Sequence, residues 1–176
     1  MMSTTRRHSL CLDMAISHAR RMNLVALAVL LTALISLAVF HGTVFVDHGP
    51  DDEVSYGWQV WPEIWRTLKA PNFDDFMDLI ATSAFLTSLL LIAIAPFAIP
   101  LFRASRLAWW LAAIVSGLAL VGLSGVLLVS YSDPAAGSEK LGPGFFCLIG
   151  SQVLNFIGLL FIRREHALEL PAGDSV

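Results

Sequence analysis

The sequence predicts an all-α integral membrane protein, a bundle of four transmembrane helices with an extracytoplasmic first loop. Of its 176 residues, 56% are hydrophobic and only 14% are charged, whereas about 25% of the residues in a typical soluble domain are charged. The hydrophobic residues are gathered into four long runs separated by short polar segments. Basic residues are concentrated in alternate polar segments, as they are in membrane proteins. Together these observations favour a membrane bundle over a soluble core.

The first predicted span covers residues 23–40, follows a polar tail at residues 1–22, and contains no charged residue. As a helix it would extend about 27 Å, close to the hydrocarbon thickness of about 30 Å. A cleaved signal peptide is the alternative, because basic residues precede the run. The run is longer than the apolar core of a signal peptide and lacks a small-residue cleavage site, so we favour a retained span.

The loop after this span, residues 41–76, is the longest polar segment between spans, at 36 residues. Residues 43–46 and 54–60 favour β-strands, and turn-forming residues 49–52 lie between them. This pattern predicts a small β-hairpin. Residues 62–70 then predict a short interfacial helix, because a proline and a glutamate lie in its first turn.

Three tryptophans make this loop the most informative part of the chain outside the spans. Trp58, Trp61 and Trp65 are spaced so that they share one helix face with Leu68. Amphipathic segments rich in tryptophan concentrate at the membrane–water interface, which favours a segment lying in that interface. The alternative is a contact surface for a partner, because tryptophan is enriched where proteins bind one another.

The remaining three predicted spans are residues 77–99, 107–131 and 145–162. Pro96 and Pro100 predict a kink or an early stop in the second span, because proline removes a backbone donor and clashes with the preceding turn. A short link at residues 101–106 joins the second span to the third. A polar tail at residues 163–176 follows the fourth span.

The distribution of basic residues predicts the orientation of the bundle. The two tails and the 101–106 link hold 8 of the 11 lysines and arginines, and the two other loops hold 3. The positive-inside rule therefore places both termini in the cytoplasm. We expect a multi-pass protein of the plasma membrane or a bacterial inner membrane, with one membrane domain at residues 23–162 and no separate soluble domain.

Small and polar residues within the spans indicate where the helices meet, because helices in lipid associate through small residues and interhelical hydrogen bonds. In the fourth span, Ser151, Asn155 and Gly158 share one face with Cys147. Asn155 and Gln152 are the most polar side chains deep in any span. Packing between helices is the favoured interpretation, and a polar path for a substrate or ion is the alternative.

The spans lack the residue types that several reactions of small membrane proteins require. The spans contain no paired cysteines for thiol oxidation, no central carboxylate for proton coupling, and no histidine for haem. His41 and the acidic residues of the first loop match no specific metal-ligand spacing, so we expect a solvated acidic loop without a metal. The net charge of −3 gives no reason to expect nucleic-acid binding.

The sequence therefore predicts no catalytic residue and no cofactor. The expected function is a non-enzymatic interaction or accessory subunit of a membrane complex. Its partners would be the lipid bilayer and other membrane subunits or a second copy of the chain. The alternative is a small oligomeric transporter or channel subunit, in which Asn155 and Gln152 line a path.

Overall fold

The computed structural model describes residues 4–47, 54–69, 76–132 and 140–162, with side chains described within 21–46, 54–69, 79–132 and 141–162. These residues form six α-helices and one three-stranded sheet. The elements are α1 (Thr4–Gly42), β1 (Val44–Asp47), β2 (Ser55–Tyr56), α2 (Val60–Lys69), α3 (Phe76–Ile94), α4 (Ile99–Ala104), α5 (Arg106–Ser132), β3 (Lys140–Leu141) and α6 (Pro143–Phe161).

Three of the described helices are long and apolar enough to cross a membrane: the Arg21–Gly42 part of α1, the whole of α5 and the whole of α6. A shorter apolar segment, Leu79–Ile94, lies in α3. Large apolar side chains cover the outside of the bundle; Leu118 and Val121 of α5, for example, are 66% and 69% exposed. Such a surface is suited to lipid. The chain thus has the helices of a multi-pass membrane protein.

The helices predicted over residues 23–40, 107–131 and 145–162 are confirmed by α1, α5 and α6. The main difference is at the start of α1, which begins at Thr4 rather than near residue 23. Hydropathy marks where a helix can enter lipid, and it carries no information on whether the polar residues before that point are also helical.

The second predicted span is shorter than expected. α3 ends at Ile94, two residues before Pro96, so the predicted early stop is confirmed and the predicted helix end at residue 99 is wrong. A turn follows, and α4 begins at Ile99 with Pro100 in its first turn. Proline is tolerated there because N–H groups in the first turn have no partner within the helix. The link at residues 101–106 is therefore mostly helical.

The predicted hairpin and short helix in the first loop are confirmed, with different bounds. β1 pairs antiparallel with β2, but the second strand is only Ser55–Tyr56, and a short 3₁₀ turn leads directly into α2. Gly57, the residue after the strand, lies against the backbone carbonyl of Phe40, where a side chain would clash. The third strand, β3, was not predicted; it pairs antiparallel with β1 on the other side.

Two antiparallel helix pairs organise the bundle. α1 and α6 form the most extensive contact, and Gly158 of α6 lies directly against Leu30 of α1. α3 packs on α5, where Gly122 faces Ala84. The buried apolar side chains divide into an outer cluster, near the sheet, and an inner cluster. The outer cluster includes Phe40, Phe85, Leu89, Leu123, Phe145 and Leu148, and the inner cluster includes Leu30, Ile99, Phe102, Ala112, Leu159 and Ile162.

We expect Gly122→Ala to destabilise the bundle. The added Cβ would lie 2.7 Å from the Cβ of Ala84, and neither methyl group can rotate away, so α3 and α5 would have to separate. Overpacking of this kind typically costs about 1–3 kcal/mol. Gly125→Ala in the same helix is the matched control, because no described atom lies within 4 Å of its Cβ position. Thermal unfolding in detergent compares the two variants, and equal melting temperatures would contradict this helix contact.

Candidate functional site

A cluster of polar side chains lies in the middle of the bundle. We define this polar cluster as Ser116 of α5 with Gln152 and Asn155 of α6. The Gln152 Nε2 donates to the Ser116 carbonyl oxygen and to its Oγ, both at 2.9 Å. The Asn155 Nδ2 donates to the same Oγ at 3.3 Å. The two predicted amides therefore bind one serine on the neighbouring helix.

The polar cluster is sealed from both ends of the bundle. All three side chains are 0% exposed, and Gln152 is the central residue of α6. Leu148 and Leu123 belong to the outer apolar cluster on one side, whereas Leu159 and Ala112 belong to the inner apolar cluster on the other. In this arrangement the polar cluster joins two helices, and apolar layers separate it from both ends of the bundle.

Three buried oxygen atoms near the centre of the bundle accept or donate no hydrogen bond among the described residues: Ser88 Oγ, Gln152 Oε1 and Asn155 Oδ1. Buried polar groups without partners are costly, and in many proteins they are satisfied by water or a ligand. Gln152 is fixed in orientation, because only its NH₂ group can donate to a carbonyl. The polar cluster therefore retains hydrogen-bonding capacity beyond what the protein itself uses.

The other predicted residues of α6 have different roles. Ser151 is buried, but its Oγ donates to the Cys147 carbonyl oxygen of its own helix at 2.7 Å. That carbonyl also accepts a hydrogen bond from Ser36 of α1 at 3.2 Å. Gly158 permits the close approach of Leu30. The face predicted on α6 thus contacts two helices. Its small residues pack on α1, and its amide side chains bind α5.

Sequence reasoning missed Ser116, the common acceptor of the polar cluster. It lies in a span rich in small residues, next to Gly117, and nothing in its local sequence distinguishes it from Ser124. Ser124 is exposed, and its hydroxyl donates to the Leu120 carbonyl of its own helix. Only the alignment of α5 with α6 makes Ser116 the partner of Gln152.

The sheet and α2 form an outer layer across one end of the bundle. Phe45 of β1 lies in an aromatic group with three phenylalanines from the helices below it. Its ring centroid is 5.7 Å from that of Phe40, 5.5 Å from that of Phe85 and 5.8 Å from that of Phe145. Such edge-to-face and tilted contacts stabilise aromatic groups beyond simple burial. The outer layer is therefore packed into the bundle.

α2 is held to the end of α1 by a hydrogen-bonded pair of side chains. The Trp61 Nε1 donates to the His41 Nε2 at 2.9 Å, and the two rings stack with centroids 6.2 Å apart. The other nitrogen of His41, Nδ1, lies 2.8 Å from the Leu37 carbonyl oxygen. Since a carbonyl can only accept, the neutral Nδ1–H form of the imidazole satisfies both contacts.

Trp58, Trp61, Trp65 and Leu68 of the outer loop form an exposed apolar surface, which we call the tryptophan face. Trp58 and Trp65 are 54% and 60% exposed, and Trp61 and Leu68 are also exposed. The Lys69 Nζ lies 5.2 Å from the centroid of the Trp65 ring, within the range of a cation–π contact. Ile64 lies on the side of α2 that packs on the bundle and is buried in the outer apolar cluster.

A cleft of about 680 Å³ separates α2 and the sheet from the outer half of α3. We call it the outer cleft. Buried Phe85 and Ile64 lie at its base with Phe45, while Glu63 and Arg66 line its exposed side. The Arg66 Nη2 lies 2.7 Å from the Glu63 Oε1. Residues advance about 100° around a helix, so these charges lie on the opposite side of α2 from the tryptophan face.

Among the described residues no group of three or more His, Cys, Asp or Glu side chains could hold a metal ion. His48, Asp51, Asp52 and Glu53 and the side chain of Asp47, which accompany His41 in the sequence, lie outside the described residues. Comparison of the chain with protein-family models, with characterised proteins and with solved structures finds no match. The functional inference therefore rests on the geometry of the polar cluster, the tryptophan face and the outer cleft.

We expect Gln152→Met to lower the stability of the bundle by about 1 kcal/mol, in the range measured for interhelical hydrogen bonds in membranes. Methionine has nearly the same volume as glutamine but cannot donate to Ser116. Asn155→Leu should have a smaller effect, since it removes one long hydrogen bond, whereas Gln152→Met removes two short ones. Ser124→Ala, at an exposed serine, is the control. Thermal unfolding in detergent measures all three, and no loss in Gln152→Met would refute a packing role.

We also expect lipids to reach the tryptophan face in the purified, reconstituted chain, where no partner covers it. In chains retaining a single tryptophan, brominated phospholipids should quench Trp65 fluorescence strongly, because that ring is exposed at the end of the bundle. Trp109 is the comparison, since it is half-buried and donates to the Leu159 carbonyl oxygen at 2.8 Å. Quenching of Trp65 by aqueous iodide alone would instead show that the face points into water.

Proposed function

We propose that this chain is a tetraspan membrane protein with both termini in the cytoplasm, and that it acts as a non-enzymatic accessory subunit of a membrane complex. The observation that carries the proposed role is the tryptophan face, which α2 holds exposed on an outer layer packed into the bundle. The bundle supplies a fixed base, and the exposed aromatic side chains supply the contact.

The proposed topology has two supports. α3 has 19 residues, which as a helix extend about 28 Å, close to the thickness of the hydrocarbon core. It packs antiparallel to α5, just as α1 packs antiparallel to α6. Four such helices place the first loop on one side of the membrane. Arg103 and Arg106 then lie on the opposite side, the one that the positive-inside rule assigns to the cytoplasm.

The contact role is supported by the cost of leaving the tryptophan face exposed. Two large rings that are more than half exposed are unusual unless a lipid surface or a partner covers them. Tryptophan is also the side chain that contributes most often to binding energy at protein interfaces. The His41–Trp61 bond and the buried Ile64 hold α2 in place, so little ordering entropy would be lost on binding.

A transporter or channel subunit is the second candidate function. It is favoured by the unpartnered oxygens of Ser88, Gln152 and Asn155, since polar groups inside a membrane often mark a substrate path. The apolar clusters on both sides of the polar cluster oppose it, because a path would have to pass Leu148 and Leu159. Transport would therefore require the helices to part, or several chains to form the path between them.

Site-specific photo-crosslinking in the native membrane tests the accessory role. With a photoreactive residue at Trp65, we expect one discrete adduct with another protein, because this position lies on the tryptophan face. The same residue at Leu118, an exposed position on α5, is the matched control and should give only lipid adducts. Replacing Trp58 with serine should remove the Trp65 adduct while leaving expression unchanged.

A different pattern of cross-links would contradict the accessory role. If Trp65 forms cross-links only to other copies of the chain, and the purified oligomer carries solute across reconstituted vesicles, the accessory role fails and the transport role is supported. Loss of that flux in Asn155→Leu would then place the path at the polar cluster.

A further inference from the structure

The outer cleft has the polarity gradient of a lipid site. Its base is apolar, formed by buried Ile64 and Phe85 with partly buried Phe45, and its exposed side carries Glu63 and Arg66. The volume of about 680 Å³ lies within the 300–1,000 Å³ typical of small-molecule sites. A ligand that fits would have an apolar part directed inward and a charged part at the opening.

The outer cleft reaches the depth of the acyl chains. Thr82 and Phe85 line it from α3, and they lie roughly 9 Å and 14 Å along the helix axis from its start at Phe76. With the hydrocarbon core taken to begin at the start of α3, both residues lie at the depth of the acyl chains of the outer leaflet.

The charges at the opening indicate which headgroup fits. The Glu63–Arg66 pair is solvent-exposed, with side chains 61% and 74% exposed, and exposed pairs of this kind are weak. A ligand can therefore replace it without a large loss. An arginine guanidinium binds phosphate through two parallel hydrogen bonds, and a carboxylate accepts hydrogen bonds from an ammonium group.

A zwitterionic headgroup with an N–H donor satisfies both charges at once. A phosphoglycerol headgroup offers phosphate to Arg66 but brings a net negative charge next to Glu63. A choline headgroup has the right charges but no N–H to donate to the carboxylate. An ethanolamine headgroup has both the phosphate and the donor.

We propose that the outer cleft binds one phospholipid with an ethanolamine headgroup, its phosphate on Arg66 and its ammonium on Glu63, with the upper acyl chain against Phe85. This inference rests on the membrane topology of the proposed function and is independent of any protein partner. A failure to find a cross-linked partner would therefore leave it intact.

Native mass spectrometry of the purified full-length chain tests the proposal, with phosphatidylethanolamine, phosphatidylglycerol and phosphatidylcholine of matched acyl chains in equal amounts. We expect one ethanolamine lipid to be retained, with about fivefold preference over each competitor. A fivefold ratio corresponds to about 1 kcal/mol, the free energy of an exposed charge pair. Glu63→Gln should remove the preference over phosphatidylglycerol while some lipid is still retained. Equal retention of all three lipids, or a preference for the glycerol or choline headgroup, overturns the proposal.

A second pair of variants shows whether the lipid lies in the outer cleft. Thr82→Phe narrows the cleft from α3, and Thr67→Phe narrows it from α2, so a fold defect in one leaves the other informative. Both should abolish lipid retention. Leu118→Phe, at an exposed position on α5, should leave retention unchanged. Retention that survives both cleft variants shows that the lipid binds elsewhere, and the proposal fails.

Discussion

Phe45 is the side chain on which the outer half of this protein depends. It extends from β1 into the space between α1, α3 and α6, and its ring contacts those of Phe40, Phe85 and Phe145. This contact closes the outer end of the bundle and fixes β1. β2 and β3 are held because they pair with β1, and α2 follows β2 after the short 3₁₀ turn. The same aromatic group forms part of the base of the outer cleft, so one packing arrangement determines both the end of the bundle and the surface that it presents.

The centre of the bundle is held by different forces. In lipid there is no hydrophobic gain from pressing apolar helices together, so small residues and hydrogen bonds must supply the contact. Gly158 and Gly122 let two helix pairs approach closely, and Gln152 joins α6 to α5 through Ser116. The apolar clusters above and below exclude water, which strengthens these hydrogen bonds but also leaves three oxygens without partners among the described residues. The polar cluster thus specifies which helix faces meet, at the cost of some unused hydrogen-bonding capacity.

The sequence predicted the features that a single segment carries. Apolar runs identified the long helices, Pro96 identified the early end of α3, and the tryptophan spacing identified the exposed face of α2. It did not predict features that need two distant segments. β3 has only two residues and becomes a strand because β1 lies beside it. Ser116 resembles the exposed Ser124 until α5 is aligned with α6. The helical residues before the first span were also missed, because hydropathy reports burial in lipid and not helix formation.

α2 connects the two proposed contacts of the outer layer. Its buried side, with Val60 and Ile64, packs on the bundle, and from there the helix presents Trp61 and Trp65 in one direction and Glu63 and Arg66 in the other. Because one short helix carries both surfaces, a lipid that shifts α2 from the outer cleft would also move the tryptophan face. The His41–Trp61 bond and the buried Ile64 already hold α2, so coupling between lipid and partner would act through that shift and not through ordering of the helix. By linkage the effect is reciprocal, so a bound partner would change the affinity for the lipid by the same factor.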